Sequence, residues 1–301
     1  MTPVFELLAA SPELFIGTSL VLGLAVGSFL NVVIYRLPVM LDRQWRAECA
    51  EISRMPLAVP SDVPARFNLI VPRSACPSCR TPIGALHNIP LVSWVVLGGR
   101  CAHCGKSISA RYPLVEALTG ILSALVAWKF GFGWPALTAM SLTWFLVTLA
   151  FIDLDHQLLP DSLTLPLLWL GLFLSLWGPH TGAAVPADIR SSVIGAIVGY
   201  ASLWSVYHLF RLLTGKEGMG YGDFKLFAAL GAWLGWQMLL PTILFASVVG
   251  AVVGLAVIAM RRHDRSTPIP FGPFLAAGGW LMLMCGQPLV AGYFGWLTGR
   301  A

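Results

Sequence analysis

The chain has 301 residues, 57% of them hydrophobic and only 11% charged, with a mean hydropathy of +0.76. A soluble domain usually carries about 25% charged residues, so this composition excludes an ordinary soluble globular protein and indicates an all-α polytopic membrane protein. The net charge of +5 comes from scattered basic residues rather than from a patch interleaved with aromatics, which excludes a nucleic-acid-binding surface.

In chain order, the N-terminal stretch MTPVFELLAASPELF lacks the basic n-region of a secretory signal peptide. The first apolar segment is therefore expected to stay in the mature protein. Segments of near-membrane length follow at 14–35, 114–131, 134–152, 162–178, 189–210, 223–237, 238–260 and 271–297. Several are near the roughly 20 residues that cross a bilayer, giving an expectation of eight transmembrane spans. The pair 223–237 and 238–260 is interrupted by Gly231, Gly235 and Pro241, so one long bent element is the alternative there.

Residues 37–113 do not fit a membrane. Arg43, Arg46, Arg66, Arg73, Arg80, Arg100, Lys106 and Arg111 are interspersed there with acids, and five of the six cysteines lie in the same stretch. The organisation expected is a first span over 1–36, a soluble insert over 37–113, and a seven-span core over 114–301. An insert of this size is small for an independent hydrophobic core, so a staple is expected. The lysines and arginines of the insert, of the 211–225 loop and of the 261–265 loop fall on one side of an eight-span topology. By the positive-inside rule that side is the cytoplasm, with both termini on the other.

The staple is legible in CPSC at 76–79 and CAHC at 101–104, a C-x2-C-x21-C-x2-C pattern. Each pair can clasp a metal from a tight turn, and together Cys76, Cys79, Cys101 and Cys104 make a tetrahedral thiolate set suited to zinc. Such a closed site leaves no position for substrate, so the metal is expected to be structural. A cytoplasmic insert also argues against disulfides. Unliganded thiols are the plainer alternative, and His103 is an alternative fourth ligand. Cys49 and Cys285 have no partner at metal spacing and read as small apolar residues.

Two clusters of acids border apolar runs. FIDLDHQLLPDSLTLP, at 151–166, lies between the third and fourth expected spans, and KEGMGYGDFKL, at 216–226, opens the sixth. By the topology above, both lie at the same membrane face. An ionised carboxylate at the membrane centre costs roughly 2.5–3.5 kcal/mol even on lenient scales, so an acid at such a place is a functional candidate. Two close carboxyls that share a proton can run acid–base hydrolysis, one activating water and the other polarising a carbonyl. Asp161, after Pro160, reads as a helix cap, and Asp155 as a solvated interfacial charge beside His156. Asp153 is the member of that cluster hardest to explain structurally, and Asp223 stands beside it as the second candidate. Gly220 and Gly222 frame Asp223 and permit positive φ or close approach of a peptide. No Gly-Lys-Ser/Thr follows, so this is not a phosphate loop, and neither H-E-x-x-H nor G-x-S-x-G occurs. The six histidines show no paired helical spacing.

Across essentially its whole length the chain resembles the type IV prepilin peptidases, also called prepilin leader peptidase/N-methyltransferases. The resemblance is carried by GSFLNVVIYRLP at 27–38, the two CxxC pairs, NIPLVSW at 88–94 and RYPLVE at 111–116. It continues through IDLDHQLLPD at 152–161, GKEGMGYGDFK at 215–225 and PIPFGP at 268–273. It implies a bacterial inner-membrane aspartyl protease of the GxGD type. Such an enzyme cuts the basic leader of type IV prepilins and type II secretion pseudopilins after glycine, commonly before phenylalanine, at the cytoplasmic face. It then methylates the new N-terminal amine using S-adenosylmethionine. The resemblance singles out Asp153 and Asp223 as the catalytic pair, a choice that spacing alone leaves open. No G-x-G-x-x-G loop marks a methyl-donor site, and the Gly98-Gly99-Arg100 turn reads more plainly as part of the metal loop. The length of GPHTGAAVPAD, 178–188, is expected to vary within the family. A peptidase without methyl transfer is the nearest alternative. A non-enzymatic scaffold or transporter, with the acids in an ion pathway and the cysteines in a partner-binding module, is the alternative from another class.

Overall fold

The computed structural model describes residues 3–53, 66–84, 88–177, 187–260 and 269–297. The described residues are helical apart from turns and two isolated bridges, Ala75 with Pro82 and Arg100 with Ser107. The helices in order are α1 Pro3–Ala10, α2 Pro12–Ser53, α3 Val92–Val96, α4 Arg111–Phe130 and α5 Trp134–His156. They continue as α6 Asp161–Ser175, α7 Ile189–Thr214, α8 Tyr221–Leu234, α9 Leu239–Met260 and α10 Gly272–Leu297. Among the described residues five stretches are long and apolar enough to cross a membrane: α2, α4, α5, α7 and Trp236–Val257. Eight helices coincide with the eight expected segments, and of the three outside those five stretches, α6 and α8, with 15 and 14 residues, fall short of the length required. At 1.5 Å per residue they reach about 21–23 Å against a hydrocarbon core of about 30 Å. The molecule is an all-α polytopic membrane protein.

The chain divides into two compact units, Glu13–Leu125 and Met1–Pro12 with Val126–Ala301. In the first, α2 continues through Pro38 to Ser53 as one helix. Small residues bring α2 and α4 together: a Cβ on Gly23 or on Gly27 would come to 2.8 Å from the Cα of Gly120 or of Glu116. Three of the sequence motifs noted above meet in this unit. Arg36, 7% exposed, donates to the carbonyls of Asn68 at 2.8 Å and Pro72 at 2.6 Å and lies over the Phe67 ring. Asn31 donates to the Tyr112 carbonyl at 3.0 Å. Glu116 is also buried and accepts the Leu91 N–H at 2.9 Å. Arg36 is therefore held by the insert's backbone and is not a free surface charge.

In the second unit α8 is the central element, packed by α6, α7 and α10. Every residue from Leu226 to Leu234 is buried. Glycine lets these short helices meet backbone to backbone, Gly195 of α7 lying against Gly231 of α8. Gly171 of α6 makes room for Trp233, whose Nε1 donates to the Leu167 carbonyl at 2.8 Å. A helix wrapped this way has its apolar surface covered by protein, so α8 has no need to span a bilayer itself. The ambiguous 223–260 region resolves into two helices. Gly235, at φ +83°, breaks the chain before a 3-10 turn at Trp236–Met238 that leads into α9. The outward faces of α7 and α9 carry exposed Ile197, Leu209, Leu244, Val248 and Val252, an apolar belt suited to lipid.

A candidate active site of two buried aspartates and a four-cysteine metal centre

Asp153 stands one turn from the C-terminus of α5, which closes at His156 with Gln157 in the left-handed conformation. It is 5% exposed, and its Oδ2 accepts the backbone N–H of Gly272 at 3.0 Å, at the start of α10. Asp223 is the third residue of α8 and is 7% exposed. Its Oδ2 accepts the Gly220 N–H at 3.3 Å, satisfying a donor that the helix N-terminus leaves open. The two acids lie within electrostatic reach of each other. Leu159, from the segment joining α5 to α6, lies between a glycine beside each acid: a Cβ on Gly222 would fall 2.7 Å from Leu159 Cβ, and one on Gly272 3.2 Å from its Cδ1. Gly222, next to Asp223, and Gly272, the donor to Asp153, thus converge on one leucine.

The neighbouring candidates separate cleanly. Asp155 and His156 are exposed. Asp161 does not cap α6, contrary to the sequence reading. Pro160 occupies the cap position and Asp161 begins the helix. Its carboxylate instead takes both contacts of the Lys225 ammonium, at 2.6 and 2.7 Å, tying the first turns of α6 and α8 together. Neither Gly220 nor Gly222 has positive φ. At Gly222 the reason for glycine is close approach to Leu159, whereas Gly220 is the exposed cap of α8.

Gly272, Leu159 and Lys225 were not singled out by sequence reasoning. The PIPFGP motif was the available signal for Gly272, and its Ile269–Pro273 part, which lies within the described residues, now has a role. A Cβ at position 272 would come to 2.6 Å from Asp153 Oδ2.

The four cysteines also converge. Their sulfurs lie within 4.8 Å of one another, with Cys76 and Cys104 at 3.8 Å and Cys79 and Cys101 at 4.0 Å. Tetrahedral bonds of about 2.3 Å place sulfurs about 3.8 Å apart, so the set fits a zinc-sized ion. Two matching turns build it. Cys76 N–H donates to Thr81 O and receives Arg80 N–H on its carbonyl, while Cys101 N–H donates to Lys106 O and receives Gly105 N–H. Arg80 and Gly105 occupy the same left-handed position in their turns, at φ +57° and +70°.

Thr81, through its hydroxyl and its backbone, pulls the Cys79 thiol down to about 6. The backbone N–H groups of Cys104 and His103 lower Cys101. The Lys106 backbone favours the Cys104 thiolate, yet burial and the other three sulfurs push that thiol up to about 11. A divalent cation would remove this repulsion, so the donor set is suited to holding a metal ion. His103 is exposed and outside the cluster, as are Cys49 and Cys285. Gly98 and Gly99 form a turn with positive φ, and a Cβ on Gly99 would strike the Trp94 ring at 2.9 Å. The Gly99 side of the turn thus packs against Trp94. His87, His180, His263 and residues 178–186 of the GPHTGAAVPAD loop lie outside the described residues.

Two buried acids at helix ends, in an apolar helical unit, are the groups that aspartic-peptidase chemistry requires of a membrane-embedded protein. Comparison with known proteins carries the assignment further. Residues 21–130 match the bacterial peptidase A24 N-terminal domain, and residues 140–255 match the type IV leader peptidase family. Proteins named prepilin leader peptidase/N-methyltransferase are similar over nearly their full length. The one from Stutzerimonas stutzeri is 55% identical over 97% of this chain and 98% of its own. That from Aeromonas salmonicida (strain A449) is 54% identical over the same shares. That from Pseudomonas aeruginosa is 50% identical over 97% of each. No solved structure matches the chain. The chain belongs to the type IV leader peptidase family.

Proposed function

We propose that this protein is a prepilin leader peptidase and N-methyltransferase of the bacterial inner membrane, with Asp153 and Asp223 as its catalytic pair. The observation that carries the reading is the burial of both carboxyls beside glycines, Gly222 and Gly272, that lie against the same Leu159. One carboxylate takes a proton from the attacking water, while the other, protonated, donates a hydrogen bond to the scissile carbonyl. The Gly272 N–H holds Asp153 Oδ2, which leaves Oδ1 of that acid for the water. Gly220, the cap of α8, and Gly222, in its first turn, support Asp223.

The substrates are type IV prepilins and type II secretion pseudopilins, which enter from the bilayer as apolar helices with the basic leader at the cytoplasmic surface. Cleavage follows a glycine. The freed amine is then methylated, with S-adenosylmethionine supplying the electrophilic methyl group. The names of the similar proteins support this second activity. Cys76, Cys79, Cys101 and Cys104 hold a structural zinc that staples a cytoplasmic insert over 37–113, between a first span over 1–36 and the peptidase core over 114–301.

The test is cleavage of a purified pilin precursor with a Gly-Phe junction by wild type, Asp153→Asn and Asp223→Asn, at matched folded amounts. Loss of cutting in both variants is expected. Near wild-type turnover in either variant would remove that aspartate from the mechanism. Labelled methyl donor in the same reactions separates the bifunctional enzyme from a peptidase alone.

A further inference from the structure

The second unit contains a groove of about 490 Å³ between α7 and α9 that the acid pair does not use. Val206 lines it from α7, Ser247 and Ala251 from α9, and Phe274 from the first turn of α10. Among the described residues the lining carries no charged side chain, and its one hydroxyl belongs to Ser247. Two further lining residues tie the groove to the acids. Met219 immediately precedes Gly220, which donates to Asp223, and Phe271 immediately precedes Gly272, which donates to Asp153. The groove therefore begins one residue from the anchor of each carboxylate and continues along α7 and α9, both membrane-length stretches.

We propose that this groove seats the part of the substrate that follows the scissile bond, with its first large apolar side chain against Phe271 and Phe274. This inference rests on the proposed peptidase reading and adds to it the place where the substrate's apolar segment lies. A basic leader has no partner in an uncharged groove and would be desolvated there at high cost, so the leader lies on the other side of the acids. An apolar helix loses nothing by leaving lipid for such a surface. Ser247 and Ala251 are four residues apart on one face of α9, with Gly250 beside them, and these small residues let a helix backbone come close.

A photo-crosslinking residue placed at Val206 or Ala251 of the full-length Asp223→Asn chain, in lipid vesicles, tests the placement. The probe is a pilin precursor with a lysine-rich leader, a Gly-Phe junction and an intact apolar segment. Crosslinks are expected to residues just after the junction. Crosslinks only to lipid, or to the leader, would overturn the assignment. A second measurement uses cleavage by otherwise wild-type chains. Ala251→Trp is expected to raise KM about tenfold for the Gly-Phe precursor while changing that for a Gly-Ala precursor little, the scale of a lost apolar side-chain contact. An equal change for both precursors would count against the pocket. Wild type that fails to cut either precursor refutes the peptidase reading itself. Wild type that cuts while groove crosslinks go only to lipid refutes the groove alone.

Discussion

Replacing Gly272 with alanine tests the acid site through a residue that carries no functional group. The added Cβ would lie 2.6 Å from Asp153 Oδ2, 3.2 Å from its Cγ and 3.2 Å from Leu159 Cδ1. Ordinary contact begins near 3.4 Å, so the carboxylate must retreat by about 3.4 − 2.6 = 0.8 Å. Leu159 Cδ1 is crowded as well, so the added methyl meets two neighbours at once. A displacement of this size stretches the 3.0 Å hydrogen bond from Gly272 N–H beyond good geometry. A misplacement of about 1 Å in a catalytic constellation can cost about 100-fold in rate. Overpacking of this kind also costs about 1–3 kcal/mol of stability.

The assay is kcat/KM for precursor cleavage, normalised to folded protein by thermal unfolding in detergent. The expected result is a loss of about 100-fold, mostly in kcat. Gly17→Ala is the control, since nothing lies within 4 Å of the Cβ it would add. It should cleave normally and be marginally more stable, by up to about 1 kcal/mol. Near wild-type cleavage by Gly272→Ala would refute the argument that its N–H and lack of a side chain position Asp153.

Cys76→Ser is expected to abolish retention of one zinc per chain and to open the insert to limited proteolysis, while the helices of the second unit remain inserted. An unchanged insert digestion pattern would count against a structural metal. Glu116→Ala leaves the Leu91 N–H without its acceptor and should destabilise the first unit by about 1–3 kcal/mol. Faster amide exchange around residues 88–97 would report the loss. Asp161→Asn breaks a partly exposed ion pair with Lys225. Such pairs are worth about 0–1 kcal/mol, so melting should shift little and cleavage should persist. Complete loss of cleavage by a folded Asp161→Asn chain would mean that Asp161 belongs in the catalytic set.

Much of the architecture is readable from local chemistry. Uncharged runs near 20 residues mark helices because a bilayer tolerates no unsatisfied backbone, and this holds wherever the run occurs. The four-cysteine centre is equally legible, since a tight turn presents both sulfurs of a C-x2-C pair to one ion and two turns complete the set. The limits of α8 are less legible. Its apolar composition reads as a span, yet it is short and enclosed by α6, α7 and α10, and composition cannot distinguish burial in protein from burial in lipid.

The acid site divides along the same line. Sequence marks Asp153 and Asp223 as acids where acids are costly, and the resemblance selects them from Asp155 and Asp161. Only the tertiary structure buries Asp153 while leaving Asp155 exposed, because the two residues fall on different faces of the end of α5. Asp161 reads as a cap from its position after Pro160, but packing brings Lys225 to it from another helix. Gly272 supplies a hydrogen bond through its backbone, a group that every residue except proline carries and that no sequence pattern distinguishes. Its importance arises from which carboxylate the fold sets beside it, and that contact joins residues 119 apart in the chain.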